Sequence, residues 1–156
     1  MSSNNMDKAV SELIYRSCLL LDDMDFSGYL NLCAPEFRYT VTAYSPELLK
    51  DMVWQDIDKT EMQRHLELVP KHVSDPSPLS RRPTVYTISY DDENKVANTV
   101  SGFEVFRTTL DGGNTVLLAI GKYYDVVSVA AKEPKLLHRN VKLDTRQLGI
   151  GSQVPF

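Results

Sequence analysis

The side chains most able to carry metal or redox chemistry in this 156-residue chain are few: His65, His72, His138, Cys18 and Cys33. A two-iron cluster held by two cysteines and two histidines needs each thiol within reach of an imidazole. Neither Cys18 nor Cys33 has a histidine nearby in the chain, and both sit in apolar context. A structural zinc site needs four closely placed ligands, and no run of neighbours supplies them. A mononuclear iron takes two histidines and one carboxylate and leaves positions open for dioxygen. His65 and His72 bracket Pro70, with Asp75 close by, so this trio is the arrangement to consider. Its plainer reading is a histidine on a helix surface followed by one in a loop, and the spacing gives no reason to prefer the metal.

Acid–base work would draw on Asp125 beside tyrosines that donate hydrogen bonds to an enolate, with Tyr15, Tyr39 and Tyr86 as candidates. No spacing forces these residues together. Equally, the tyrosines fill the concave face of a sheet and Asp125 faces solvent or a neighbouring chain. There is no Gly-x-Gly-x-x-Gly, phosphate loop, Gly-x-Ser-x-Gly or His-Glu-x-x-His, so nucleotide and flavin binding have no signature. Arg81-Arg82, in the stretch Asp75–Pro83 with its three prolines, suggest another use. A guanidinium fork matches a carboxylate, within a chain or between chains; the alternative is a solvated pair that contributes little. Arg81, Arg82, Trp54, Asp144 and Arg146 are expected at or near subunit contacts, where aromatic and arginine anchors are enriched.

Seventeen basic and 21 acidic residues give a formal charge of −4, the wrong sign for a protein that grips a phosphate backbone. Two cysteines are too few for a disulfide-stapled secreted scaffold. The opening MSSNNMDKAV lacks the basic-then-apolar pattern of a signal peptide. The longest apolar stretches, Cys18–Leu21 and Val116–Ile120, are far short of the roughly 20 residues a membrane span needs. A cytoplasmic protein is expected, with neither nucleic acid nor membrane as partner. Domains run to roughly 100–200 residues, and no repeat or linker divides this one, so residues 1–156 are expected to form a single domain.

The elements that must position these residues follow from hydrophobic period. Val10, Leu13, Ile14, Ser17, Cys18, Leu21 and Met24 recur at spacings of three and four, the stripe of a buried helix. Asn4 or Asn5 is expected to cap it, with Asp7 in the first turn. A short helix over Phe26–Leu32 follows. Phe37, Tyr39, Val41 and Ala43 alternate with polar residues, which predicts a half-buried strand. Leu48–Gln55 reads as a strand and Lys59–Leu68 as a helix that Pro70 stops, with a loop over Asp75–Pro83. Thr84–Tyr90, Val96–Leu110, Asn114–Val129 and Leu136–Leu143 read as strands. The turns between them are Asp91–Asn94 and Asp111-Gly112-Gly113, and Gly102 and Gly121 mark bends. Helices followed by long bent strands make an α+β pattern, here a curved antiparallel sheet wrapped round the first helix as a cone with an apolar hollow.

Four segments then carry a resemblance: LIYRSCLLLDDMDFSGYLNLCAPEFRYTVTAYS (13–45), DPSPLSRRPTVYTI (75–88), GKYYDVVSV (121–129) and LLHRNVKLDTRQLG (136–149). In order and spacing they resemble the small (β) subunits of Rieske-type ring-hydroxylating oxygenases. The resemblance implies a cystatin-like, nuclear-transport-factor-like cone with a structural role, and three small subunits meeting on a threefold axis beneath three large ones. It also implies that the two-iron, two-sulfur Rieske cluster and the mononuclear iron belong to the large subunit, through which ferredoxin and reductase act. On this chain it implies no catalytic, cofactor-binding or metal residue. AYSPELLKDMVWQD (43–56) and LDTRQLGIGSQVPF (143–156) are similar to members that hydroxylate a one-carbon sulfonate, so methanesulfonate, or otherwise an aromatic compound, is the implied substrate. Arg82 precedes Pro83 where many members have Arg-His, which puts in doubt any contact made through that histidine. The residues alone leave an alternative: a free-standing cone-fold isomerase or dehydratase that binds a small hydrophobic ligand.

Overall fold

The structure, a computed structural model, describes residues 3–72, 76–146 and 155–156. In chain order it has α1 (Ser3–Asp22), α2 (Phe26–Asn31), β1 (Cys33–Ser45), β2 (Lys50–Asp58), α3 (Lys59–His72), β3 (Leu79–Asp91), β4 (Val96–Thr108), β5 (Thr115–Ser128) and β6 (Lys135–Leu143). Most of the predicted stripe on α1 is buried, Val10, Leu13, Ile14, Ser17, Cys18 and Leu21, but Met24 falls past the helix end and is exposed. The helix begins earlier than its capping signals suggested, so Asn4 and Asn5 lie inside it and no acidic residue falls in its first turn. Asp7 instead accepts the Tyr90 hydroxyl, which ties α1 to β3. At the other end Asp22 pairs with Arg81, so a cation offsets the carboxylate at the negative end of the helix dipole.

The six strands form one sheet in the order β2-β1-β6-β5-β4-β3. Its neighbours are antiparallel except β1 and β6, which run parallel through Arg38↔His138 to Ala43↔Leu143. The sheet is therefore mixed, where a wholly antiparallel one was expected. The β3–β6 meander begins at the edge opposite β2 and works back, and its last strand arrives beside β1 in the same direction. Alternation settles which side chains point inward: Phe37, Tyr39, Val41 and Ala43 from β1, Tyr123 and Val127 from β5, Val141 and Leu143 from β6. These pack with the α1 stripe into one core.

Five register shifts interrupt the ladders among the described residues. A bulge adds local right-handed twist, and this series curls the sheet round α1. One leaves Tyr86 as the extra residue of β3, between Val85 opposite Ser101 and Thr87 opposite Val100. The Tyr86 ring lies where a side chain at Gly102 would stand, which is why the bend needs glycine there. In β5 the irregularity falls at Leu118, and Gly121 keeps its register. Gly112 and Gly113 turn the β4–β5 hairpin with φ of 79° and 69°, the left-handed values that made this turn legible.

Two proline readings need correction. The α3 helix continues through Pro70 to His72; a proline two residues from a helix end forfeits one bond to the preceding turn without disrupting a long continuation. The supposed loop Asp75–Pro83 is partly strand, since β3 starts at Leu79 and contains Pro83. An edge strand tolerates a residue with no N–H to give. At its start α3 has a reciprocal capping box, in which Glu61 N–H donates to Asp58 Oδ1 at 2.8 Å and Asp58 N–H to Glu61 Oε1 at 3.3 Å. Among the described residues no helix is long and apolar enough to cross a membrane.

Candidate functional site

Ladder register lines up four inward polar residues on a single rung of the sheet: Tyr39 on β1, Arg139 on β6, Asp125 on β5 and Thr99 on β4. Arg139 and Asp125 are both fully sealed. The guanidinium donates from Nε to Asp125 Oδ1 and from Nη2 to Oδ2, each at 2.9 Å. Its remaining nitrogen donates to Ser17 Oγ at 2.9 Å, and that hydroxyl passes its own proton to the Ile14 carbonyl at 2.6 Å. The guanidinium also sits 4.1 Å over the Tyr123 ring, which in turn stacks on Phe103 at 4.4 Å. Burial alone would pull the Arg139 pKa down, but Asp125, by charge and hydrogen bond, outweighs it and holds the value well above the ordinary one. An interior ion pair is stable only when its geometry is saturated in this way.

Both oxygens of Asp125 accept from Arg139, and its side chain is sealed from solvent. Tyr39 is buried too, and burial pushes its phenol up to about 12. Tyr86 and Tyr15 stand elsewhere: Tyr86 is exposed, and the Tyr15 hydroxyl accepts the Val85 N–H at 3.4 Å. The four acid–base candidates therefore do not converge. Where a hollow was expected, Arg139, Tyr39, Tyr123, Phe103 and Phe156 are buried within the cone.

Among the described residues the donors do not assemble an iron–sulfur or mononuclear iron site. Cys33 Sγ donates to the Tyr29 carbonyl and Cys18 lies against the Tyr123 hydroxyl; burial raises both thiols, Cys33 to about 12. His65 is on α3, while His138 is on the outer face of β6 with Nε2 3.2 Å from Thr40 Oγ1. The side chains of His72 and Asp75 lie outside the described residues. Among those described, no group of three or more His, Cys, Asp or Glu stands close enough to hold a metal.

Among the described residues no helix covers the outer face of the sheet, and the residues expected at contacts divide there. Arg81 turns inward, its side chain 1% exposed, and donates from Nη1 to Asp22 at 2.8 Å. Arg82 points out, its Nε on Ser80 Oγ at 3.2 Å. Trp54 is the extra residue of the β1–β2 bulge, on the edge strand, and is 44% exposed. Asp144 is exposed just past β6, and Arg146 meets Glu47 at 3.3 Å. Register brings Arg82, Asp144 and the β1–β2 hairpin to one end of the sheet. Exposed Leu48, Leu49 and Val53 from one hairpin and Leu110, Val116 and Leu117 from another crowd the same end. The opposite end has the turn Asp91–Lys95, which is polar throughout. Sequence reasoning missed Arg139. Its signal was parity, because Arg139 shares the inward register of Val141 and Leu143.

An α+β cone of this kind is shared by oxygenase beta subunits and by scytalone dehydratase-like proteins. The structure superposes on a solved chain from Novosphingobium aromaticivorans, described as the beta subunit of an aromatic-ring-hydroxylating dioxygenase, with a TM-score of 0.82 at 18% identity over 97% of each chain. No family model matches the chain. Over 155 residues it is 37% identical to the methanesulfonate monooxygenase hydroxylase subunit beta of Methylosulfonomonas methylovora, covering 95% of this chain and 86% of that protein. Over 154 residues it is 31% identical to the 2-aminobenzenesulfonate 2,3-dioxygenase subunit beta of an Alcaligenes species, covering 95% and 97%. The chain belongs to the family of β subunits of Rieske-type ring-hydroxylating oxygenases. It is thus a subunit of the hydroxylase component of a multicomponent oxygenase.

Proposed function

We propose that this chain is the non-catalytic, structural β subunit of an oxygenase whose substrate is an organosulfonate, methanesulfonate or an aromatic sulfonate. One observation carries the substrate class: two relatives at 37% and 31% identity, matched over 95% of this chain, are both named for sulfonates. The burial of Arg139, Tyr39 and Tyr123 within the cone and the engagement of Asp125 by Arg139 support a structural role. On this reading residues 1–156 act as one unit in a cytoplasmic assembly of three β and three large subunits. The large subunit holds the Rieske cluster and the mononuclear iron and receives electrons from ferredoxin and reductase. The apolar end of the sheet, with Trp54, Arg82, Asp144 and Arg146 around it, supports an interface there, since large exposed apolar patches mark contact sites. Arg81 stabilises that surface from inside rather than touching a partner.

The test is co-expression with the large subunit. The complex is expected to oxidise methanesulfonate or 2-aminobenzenesulfonate in preference to naphthalene, while the β chain alone is colourless and inactive. Trp54→Ala with Leu49→Ser is expected to weaken association at least about tenfold in sedimentation while leaving the fold of the isolated chain intact. Stoichiometric iron or turnover on the β chain alone would overturn the structural reading.

A further inference from the structure

Pro155 and Phe156 fold into the cone and are held by three contacts of different kinds. The Phe156 ring is buried, 6.5 Å from the Phe103 ring between centroids. Its N–H donates to the Tyr39 hydroxyl at 3.0 Å, and the Pro155 carbonyl accepts from Arg81 Nη2 at 2.5 Å. Asp22 aims Arg81 by taking its Nη1 at 2.8 Å and its backbone N–H at 3.1 Å. Tyr39 and Arg81 are 0% and 4% exposed, and Arg81 Nε has no partner among the described residues.

Any buried tail needs partners for its amide and carbonyl, and here side chains supply them in place of a strand ladder. A ring slot, a hydroxyl that takes an amide proton and a guanidinium that takes the preceding carbonyl together recognise an acylated aromatic residue. We propose that the cone holds a binding site for an aromatic residue with its amide and preceding carbonyl, which Pro155–Phe156 occupy as an exchangeable latch. Neither residue belongs to a strand. Release therefore gives up one ring contact and two hydrogen bonds while the sheet stays whole, the pattern of a local opening. Tyr39, Arg81, Phe103, Pro155 and Phe156, which form the site, are all buried within this chain.

The experiment titrates the full chain, wild type and Phe156→Ala, with N-acetyl-Pro-Phe amide by calorimetry and thermal melting. The variant is expected to bind the peptide at least about tenfold more tightly than wild type, whose own latch competes at high effective concentration. Millimolar peptide should raise the melting temperature of the variant, and N-acetyl-Pro-Ala amide should not. Equal affinity for both proteins, or no binding to the variant, overturns the proposal. Should Phe156→Ala fail to fold, amide exchange on the wild type decides. The Phe156 N–H is expected to exchange at least about 100-fold faster than the Val141 N–H in the sheet. Exchange at the Val141 rate would make Phe156 a fixed part of the core and sink the latch.

Discussion

Arg139–Asp125 and Arg38–Asp56 are both arginine–aspartate pairs that bridge neighbouring strands of the same sheet, on opposite faces. The inner pair is 0% exposed on both sides and closes through two contacts of 2.9 Å. The outer pair meets at 2.6 Å through a single nitrogen, with side chains 48% and 47% exposed. Distance alone would rank the outer pair first, and burial reverses the order. Water and salt stand ready to replace either outer partner. Inside, a lost partner leaves a charge with nothing to solvate it. The comparison reaches beyond the two pairs. The inner face holds its charge as part of the fold, and the outer face leaves its charge to solvent.

The largest effect should come from breaking the inner pair. Arg139→Ala is expected to cost about 3–5 kcal/mol in urea unfolding, because Asp125 is left buried and alone. Replacing both partners, Arg139→Met with Asp125→Leu, should recover most of that loss. A double variant as unstable as the single one would show that the rung contributes more than charge pairing.

A smaller effect sharpens the same contrast through pH. Burial holds the Cys33 thiol at about 12 and the Tyr39 phenol at about 12, against ordinary values of 9.0 and 10.0. Both values are raised in the folded state, so the unfolded chain sheds these protons first. Their stabilisation is fully present below pH 9.0 and is lost as pH rises toward 12. Urea midpoints should therefore fall across that window, and Cys33→Ala should flatten the first part of the fall. The smallest effect belongs to the outer pair. Arg38→Ala should shift the urea midpoint far less than Arg139→Ala, and raising salt from about 0.05 to 0.5 M should shrink even that. A shift comparable to that of Arg139→Ala would erase the distinction between the faces.

Much of this was legible in the residues because local rules decide it. The α1 stripe, the alternation in β1 and the Asp111-Gly112-Gly113 turn each depend on neighbours in the chain. The parallel β1–β6 ladder depends on where a distant strand lands, and alternation fixes which way a side chain points without naming the strand beside it. That is also why Arg81 and Arg82 read as one motif. Adjacent strand positions face opposite sides, so one went to Asp22 and the other to solvent. The rung of Tyr39, Arg139, Asp125 and Thr99 was hidden for the same reason, although parity alone placed Asp125 level with Tyr123 and Val127. Two opposite charges at inward positions of neighbouring strands have little choice but to meet.

The β1–β6 ladder sets the order in which the protein can be finished. Thr40 Oγ1 donates to Asn140 Oδ1 at 3.0 Å across one hundred residues of chain. The β3–β6 meander joins close neighbours in sequence and closes short loops, whereas β1 must wait for the last strand, and such distant pairings form slowly. On the ribosome, β1 has only β2 beside it until residue 143 has emerged. The newly made chain therefore carries a bare apolar strand edge for most of its synthesis, the state most exposed to mispairing with its own kind.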